Sequence, residues 1–381
     1  MPHRRSRRVA LLLTLILFLT GCWDRRELEE RSNVLVAGVD VCDEGEGCEM
    51  VVTRQIAIPG QIPLGGERSG TRQADTVVVM RTPAANAADS LARAQADLNW
   101  KIHIGHNRMI VLSEAFARRG VAQYFDYLRR LPELRRLLWL AVAEGRAEDV
   151  LKARPALEDV PALYLASMLD DAIKGGRLPQ VNVGDFMIKT SNRGEEAVVP
   201  ILRMAGPDQP ELAGLAVFCG SRMVGKLTPE ETATFQELQG RRKGGEQLEV
   251  TLSPKQNATV SVYGRGAVYR LQWVQGQVRV QIALELESEL IRLSPGQTGS
   301  DLRTLELIER GAAKMVEERG AALIRKLQHE FGADILSVGE RVRAYLPGAW
   351  AAIPDWPAAF AGAKFSIDAQ VSVRRTGMSM D

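Results

Sequence analysis

The chain of 381 residues has few of the side chains on which enzymatic and metal chemistry most often depends. It contains four histidines and four cysteines, and one of each lies within the first 22 residues. The sequence has no Gly-x-Ser-x-Gly elbow, phosphate-binding loop, His-Glu-x-x-His helix or Cys-x-x-Cys pair. It therefore gives no positive sign of catalysis, of a bound cofactor or of a metal site.

Acidic residues are missing from the first 21 positions, where four arginines occur: Arg4, Arg5, Arg7 and Arg8. Removing these four from the 49 Lys and Arg leaves 45 against 47 Asp and Glu, so the formal charge changes from +2 to −2. A nucleic-acid-binding surface needs clustered basic charge on a folded domain. The charge balance argues against a nucleic-acid partner.

Long apolar runs are also missing after residue 22, and the only candidate lies at the N-terminus. Val9 to Leu19 is apolar except for Thr14. This run is shorter than the roughly 20 apolar residues that span a bilayer. Basic, apolar and small residues follow one another as in a secretory signal. The end of the segment, Leu19-Thr20-Gly21-Cys22, resembles the lipobox of bacterial lipoproteins.

This pattern predicts that residues 1–21 form a lipoprotein signal peptide that is removed, and that the Cys22 thiol is lipidated. The alternative is an ordinary signal peptide with a coincidental cysteine. Two or more acyl chains hold a protein stably at a membrane, because each buried CH₂ contributes about 0.8 kcal/mol. We therefore expect a folded body on a lipid tether at the outer face of the cytoplasmic membrane.

Composition and element pattern predict a multidomain α+β fold with mixed or antiparallel sheets and packed helices. The hydrophobic fraction of 45% is typical of globular proteins, and single domains usually stay below about 300 residues. Strands and short helices alternate without a regular parallel βαβ rhythm. Breaks after residues 206 and 245 predict an N-terminal α+β domain (22–206), a small central hairpin-helix unit (207–245) and a C-terminal domain (246–381).

The C-terminal third shows the clearest periodicity. Apolar residues alternate with polar ones over Val278–Leu286 and again over Phe365–Val373, which is typical of strands with one buried face. Between them, Asp301 to about Phe331 carries an apolar stripe at helical spacing, enough for a helix of about 45 Å. We expect a long helix packed across a twisted antiparallel sheet.

Three cysteines and two histidines remain as candidate site residues. Cys42 and Cys48 flank a polar glycine turn between two predicted strands, so they form either a disulfide across the hairpin mouth or two free thiols. His103 and His106 are three residues apart, and in an extended segment they would point to opposite faces. Cys219 lies on a predicted hairpin turn without a nearby base. We interpret the last three as structural residues.

Short motifs along the mature chain resemble the Ger(x)C family, the C-subunit lipoproteins of bacterial spore germinant receptors. The first is GCWDRREL from Gly21. The others, in the family's order, are VAGVD from Val36, GHNRMIV from Gly105, LPELR from Leu131, VAEGRA from Val142, GLAVF from Gly214, DILSVG from Asp334 and VRRTG from Val373. Each motif is short, but together they span nearly the whole mature chain. Cys42 and Cys48 depart from the family pattern.

The resemblance implies a non-enzymatic, three-domain α+β subunit without a cofactor, on the outer surface of the spore inner membrane. Its partners would be the A-type and B-type membrane subunits of a nutrient receptor. Trp23, Arg25 and Arg26 would then lie in a membrane-proximal stretch, with Trp23 among lipid headgroups; a plain exposed lead-in is the alternative. A solute-binding lipoprotein of a membrane transporter and an exported enzyme are the other classes considered.

Overall fold

The computed structural model describes residues 31–58, 76–155, 158, 160–241, 246–254, 256–294 and 301–375. Within these ranges the chain forms two β-sheets, of nine and four strands, with helices packed against both. This is the mixed α+β architecture that the sequence predicts. Buried apolar residues of the two sheets belong to one connected core cluster.

The first sheet contains strands β1 to β9 in the spatial order β3-β2-β1-β5-β6-β7-β8-β9, with β4 pairing the start of β1. Their bounds are β1 Arg31–Val41, β2 Met50–Ala57, β3 Val77–Ala84, β4 Lys101–His103, β5 Met109–Ser113, β6 Trp139–Ala143, β7 Val198–Gly206, β8 Gln209–Cys219 and β9 Arg222–Leu227. The predicted hairpin around the glycine turn is β1–β2, which pairs in antiparallel register.

The centre of this sheet is parallel, because β1, β5, β6 and β7 run in the same direction, and the whole sheet is of the mixed type that the sequence predicts. Helices connect these strands: α1 Ala87–Ala96, α2 Glu114–Arg119, α3 Ala122–Arg129, α4 Ala147–Lys152, α5 Pro161–Lys174 and α6 Val183–Lys189. The number of helices varies from one crossover to the next, so the sequence shows no regular βαβ pattern. Parallel strands covered on both faces also lose the polar alternation that marks a half-exposed strand, and β5 is buried at every position.

The segment predicted as a central unit, 207–245, divides between two layers. Its hairpin supplies β8 and β9, which continue the first sheet from β7. Its helix, α7 Pro229–Leu238, is buried from Thr232 to Leu238. The predicted capping box is confirmed: the Thr228 hydroxyl accepts from the Glu231 amide, and the Glu231 carboxylate accepts from the Thr228 amide. As expected for so short a segment, it packs against its neighbours.

The second sheet has the order β10-β11-β12-β13, with bounds β10 Glu246–Ser253, β11 Gln256–Val274, β12 Gln277–Leu293 and β13 Lys364–Arg375. The alternating residues Val278 to Leu286 of β12 are buried as predicted. β13 pairs β12 in parallel, with Val280 opposite Phe365. The expected antiparallel sheet is thus a mixed one, because the chain crosses over through helices between these two strands.

The crossover begins with the long helix α8, Leu302–Lys326, continued by a π-turn over Leu327–Phe331. This confirms the predicted long helix packed on the C-terminal sheet. Asp301 caps it by accepting from the amides of Arg303 and Thr304. Three short helices follow, α9 Val338–Tyr345, α10 Pro347–Ala352 and α11 Trp356–Gly362. In the ranges that the structure describes, no helix combines the length and apolar character needed to cross a membrane.

Candidate interaction site at the junction of the two sheets

The predicted lipidation residue Cys22 and its neighbours Trp23, Arg25 and Arg26 lie outside the described residues. The described chain begins with β1, whose first three residues pair with β4, so that Arg31 lies opposite Lys101. Nine residue steps separate Cys22 from Arg31, a reach of about 30 Å for an extended chain. The described chain therefore starts within about 30 Å of Cys22, at the end of β1 that pairs with β4.

The structure joins Cys42 and Cys48 by a disulfide at the mouth of the β1–β2 hairpin, with Cα atoms 5.7 Å apart. Acidic residues of the turn form ion pairs with arginines of two other elements. Arg81 Nη2 lies 2.8 Å from Glu46 Oε1, and Arg146 Nη1 lies 3.0 Å from Asp43 Oδ2. These pairs fix the turn against β3 and the start of α4.

Two of the family-like motifs, VAGVD and VAEGRA, meet where β1 passes α4. The buried Asp40 carboxylate accepts from the amides of Ala147 at 2.8 Å and Glu148 at 3.0 Å, so it caps α4. Burial raises the pKa of Asp40 despite these hydrogen bonds. A Cβ atom at Gly38 would lie 3.2 Å from Ala147 Cβ and from the Leu151 side chain. The motif therefore combines a cap with a glycine that permits close helix packing.

His103 and His106 lie together, and the expectation that they point to opposite faces is wrong. Their ring centroids are 5.2 Å apart, because the strand β4 ends at His103 and a turn brings His106 back. The Nδ1 atom of His103 lies 3.7 Å from Glu133 Oε2. Burial, followed by the charges of His103 and nearby arginines, lowers the pKa of His106. The pair thus lies in a basic surface region.

One close contact between the two halves of the protein joins the loop before β7 to the start of α9 and the turn before it. The Glu196 amide donates to Asp334 O at 3.0 Å, and the Glu340 amide donates to Gly194 O at 3.0 Å. A Cβ atom on Gly339 would lie 2.6 Å from Gly194 O and 2.6 Å from the Trp356 indole. Two glycines thus allow backbone-to-backbone contact between the halves of the protein.

The carboxylate of Asp334 organises the C-terminal side of this junction. It is 2% exposed and accepts three hydrogen bonds, from the amides of Val338 at 3.1 Å and Gly339 at 2.8 Å and from Trp356 Nε1 at 3.1 Å. Burial raises the pKa of Asp334 to about 6. The family-like motif DILSVG is therefore the segment that shapes the junction.

Arg193, on the N-terminal side of the junction, contacts helix α10 and the link between α10 and α11. Its Nη2 atom donates to Ile353 O at 2.5 Å and also to Pro354 O. The guanidinium lies over the Trp350 ring, 5.3 Å from its centroid. Carbonyl groups and an aromatic face are favourable neighbours for a planar cation. Arg193 therefore holds the short helices of the C-terminal half in place.

The neighbouring carboxylates of Glu195 and Glu196 at the junction have pKa values shifted in opposite directions. Burial raises the pKa of Glu196 to about 7, although the Gly220 amide donates to it at 2.7 Å. Burial also raises the pKa of Glu195, but its hydrogen bond from Asn192 and the Lys189 charge lower it by more. Burial and Glu196 raise the pKa of the Cys219 thiol. A thiol with a raised pKa is a poor nucleophile, which agrees with the structural interpretation of Cys219.

A cleft of about 650 Å³ opens beside this junction. Loop, helix and C-terminal residues of both halves line it, including Asp185, Gln236 and Arg341. Two exposed apolar side chains lie at it, Leu137 at 79% and Ile188 at 64% exposure. The mixture of apolar, amide and charged groups suits a protein segment better than a small apolar ligand. The cleft is the candidate interaction site.

This junction was not predicted from the sequence, because its residues lie about 140 positions apart in the chain. The sequence signal at this site is the DILSVG motif, which belongs to the family resemblance. A buried acid followed by small residues is typical of a tight backbone contact, but its partner loop around Gly194 carried no motif.

Comparison with known proteins assigns the chain to a family. Residues 24–204 match the family model described as the spore germination protein N-terminal domain. Residues 213–377 match the model described as spore germination B3/GerAC like, C-terminal. The chain belongs to the Ger(x)C family of spore germination proteins, as the motifs indicated.

Two curated relatives are distant but match along nearly their whole length. Spore germination protein GerQC of Bacillus cereus is 21% identical, over 98% of this chain and 99% of that protein. Spore germination protein B3 of Bacillus subtilis (strain 168) is 20% identical, over 98% and 99%. The crystal structure of the GerBC protein aligns with 92% of this chain and 100% of that chain, at a TM-score of 0.59 and 18% identity. This last similarity confirms the fold class.

The contact between Gly194 and Gly339 yields a stability prediction. Gly339→Ala places a methyl group against a backbone oxygen and a buried indole, and overpacking of this kind costs about 1–3 kcal/mol. We expect the free energy of unfolding to fall by about 2 kcal/mol or more, measured by urea denaturation. Gly348→Ala is the matched control, because a Cβ atom there meets nothing within 4 Å. Equal stabilities of the two variants would contradict the close contact.

The shifted pKa values of Glu195 and Glu196 predict opposite effects of pH on the stability of the fold. A folded-state pKa above the unfolded value makes the native state bind more protons, so stability falls as pH rises through the window between them. For Glu196 this window runs from the ordinary pKa of 4.5 to a pKa of about 7. Relative to Glu196→Gln, the wild-type protein should therefore lose on the order of 1 kcal/mol between pH 5 and 8, allowing for solvent screening.

Glu195→Gln is the control for this measurement. Because the pKa of Glu195 is lowered in the folded protein, its charge stabilises at neutral pH, and the stability is lost as pH falls. Thermal unfolding of the three proteins at pH 5 and pH 8 separates the effects, because the Glu195 contribution is lost only below its ordinary pKa of 4.5, so Glu195→Gln should run parallel to wild type in this range. Parallel pH profiles for wild type and Glu196→Gln would refute the buried, proton-binding carboxyl.

Proposed function

We propose that this protein is the lipid-anchored, non-enzymatic C-type subunit of a nutrient germinant receptor. In this role it is tethered through Cys22 to the outer face of the spore inner membrane. It acts by assembling with A-type and B-type membrane subunits, and the assembled receptor triggers germination.

The observation that carries this proposal is the coverage of both family models. They match residues 24–204 and 213–377, so the similarity starts two residues after Cys22. A match that begins directly after the lipobox is expected if cleavage at Cys22 creates the N-terminus of the working protein. Relatives named spore germination proteins KC, B3 and A3 support a receptor of several subunits.

Two buried carboxylates among the described residues have structural roles, and this supports an interaction role for the protein. Three donors occupy the Asp334 carboxylate, and two amides at the start of α4 occupy the Asp40 carboxylate. These acids hold loops and helices in place. The cleft at the junction, with Leu137 and Ile188 exposed, then presents a fixed surface to a partner.

Two local features belong to the same proposal. A disulfide between Cys42 and Cys48 is suited to an exported protein, because such bonds persist in oxidising compartments. In the stretch after Cys22, Trp23 lies among lipid headgroups, and Arg25 and Arg26 lie near anionic lipid. The stretch after Cys22 would keep the first sheet close to the membrane.

The decisive experiment uses spores of the native organism. Wild type, a deletion of the gene, Cys22→Ala and Cys219→Ala are compared by the fall in optical density after a panel of nutrients. The deletion should abolish the response to at least one nutrient while non-nutrient triggers still act. Cys22→Ala should slow that response by about tenfold or more, because an untethered subunit loses its high effective concentration at the membrane.

Cys219→Ala is the matched control, since it removes a thiol that the lipobox does not contain. It should germinate like wild type. If every nutrient response survives the deletion in a strain without paralogous receptors, the receptor proposal is wrong. If the deletion is defective but Cys22→Ala is normal, the subunit role holds and the tether is dispensable.

A further inference from the structure

A buried arginine in the first sheet has no anionic partner among the described residues. Arg54 on β2 is 6% exposed. Its Nη2 atom donates to Ser90 Oγ at 2.7 Å, and its Nη1 atom lies 3.5 Å from Thr82 Oγ1. Both partners are neutral hydroxyl groups. The guanidinium therefore carries a full positive charge inside the protein without a countercharge in this part of the chain.

Such an arrangement is costly, because moving an ion from water to the interior loses several kcal/mol of solvation after relaxation. Burial lowers the pKa of Arg54, yet guanidinium groups remain protonated in proteins. Two tyrosines, Tyr124 and Tyr127, lie close enough to influence this pKa, but neutral phenols do not balance the charge. A structural arginine in this position would be expected to have an acid beside it.

Arg54 lines a small internal cavity of about 50 Å³. A water molecule needs only about 10–15 Å³ of such volume, so the cavity has room for a group of a few atoms. Its other polar lining residues are Asn107, Tyr124 and Tyr127, and the rest of the wall is aliphatic. None of the lining residues that the structure describes is acidic.

A larger apolar groove of about 400 Å³ adjoins this cavity between α1 and the segment after α3. The two spaces share Leu91, Ile104 and Leu131 as walls. The remaining lining of the groove includes Ala88, Ala92, Ile102 and Pro132, with polar side chains from Gln95, Lys101 and Glu133. The buried cation therefore lies on the inner side of these three shared side chains and the aliphatic groove on their outer side, so a ligand that occupies both spaces must displace the shared side chains.

We propose that this pocket binds an apolar monocarboxylate, with the carboxylate on Arg54 and the hydrocarbon body along the groove. Arginine presents parallel N–H groups that match the two oxygens of a carboxylate. Aliphatic walls favour a hydrocarbon chain through the area removed from water. Because no acid lines the inner cavity, an ammonium group next to the carboxylate would have no partner there, so the pocket disfavours α-amino acids.

The test is isothermal titration calorimetry on the full mature chain carrying Cys22→Ala, so that no attached acyl chain competes for the groove. Octanoate, acetate, octanol and leucine are titrated at one fixed salt concentration. Octanoate should bind at least tenfold more tightly than each of the other three. Octanol lacks the charge, acetate lacks the chain and leucine adds the amine.

Arg54→Met should weaken octanoate binding by about tenfold to a hundredfold, because a hydrogen-bonded charge contributes about 1.5–3 kcal/mol. Without ligand, the same variant should keep or raise the melting temperature, since it removes an uncompensated buried charge. Arg81→Met is the matched control. Arg81 is an arginine on β3 that pairs with Glu46 at the surface, so octanoate binding should not change.

A second variant keeps Arg54 and blocks the groove. Leu91→Trp should lose octanoate binding even if Arg54→Met folds poorly. Three results would overturn the proposal: no binding of octanoate to the wild-type chain, equal binding of octanoate and acetate, or a marked loss of stability in Arg54→Met without any effect on binding. The last result would make Arg54 a structural residue.

Discussion

The carboxylate of Asp334 holds a close backbone contact between the two halves of the protein, next to helix α7, which packs on both sheets. Its three hydrogen bonds shape the turn before α9, and that turn presents Gly339 to the backbone at Gly194. This buried acid thereby helps to set how closely the halves approach, together with the ion pair of Lys326 with Glu231 and the hydrogen bond from the Tyr269 hydroxyl to Leu238 O. The turn also contains Ser337 in the left-handed region, with φ 56°, a conformation that costs about 1–3 kcal/mol and persists where surrounding contacts enforce it.

The same principle operates at a second position in the first sheet. Asp40 caps α4 while Gly38 lets that helix approach β1. In both cases an acid and a glycine a few residues apart convert a short motif into a tight contact. This explains in physical terms why short motifs spread over the chain were a usable signal of the family, although identity to its relatives is near 20%.

The sequence predicted the elements whose environment is uniform along their length. The alternation in β12, the stripe of α8 and the capping box at Thr228 all depend on local periodicity or local hydrogen bonds, and all three are present. The antiparallel pairing expected for the C-terminal sheet and the opposite directions expected for His103 and His106 were wrong, and the parallel centre of the first sheet agrees with the mixed sheets predicted but was not located from the sequence. The strand pairings depend on chain crossovers, which bring together residues distant in sequence. The approach of the two histidines depends on a turn at a single glycine, Gly105. The burial of the Arg54 charge could likewise not be predicted from the sequence, because it results from helices that pack over β2.

Differential scanning calorimetry of Asp334→Ala tests the central claim, that the two sheets unfold as one unit because of this junction. The wild-type protein should show one transition. Asp334→Ala leaves three buried donors unsatisfied, and each costs about 1–3 kcal/mol, so the transition should separate into two, with the C-terminal half less stable. Asp355→Ala, which removes an exposed cap of α11, should keep one transition and lose about 1 kcal/mol. If Asp334→Ala also unfolds in one transition with a loss no larger than that of Asp355→Ala, the junction does not couple the sheets.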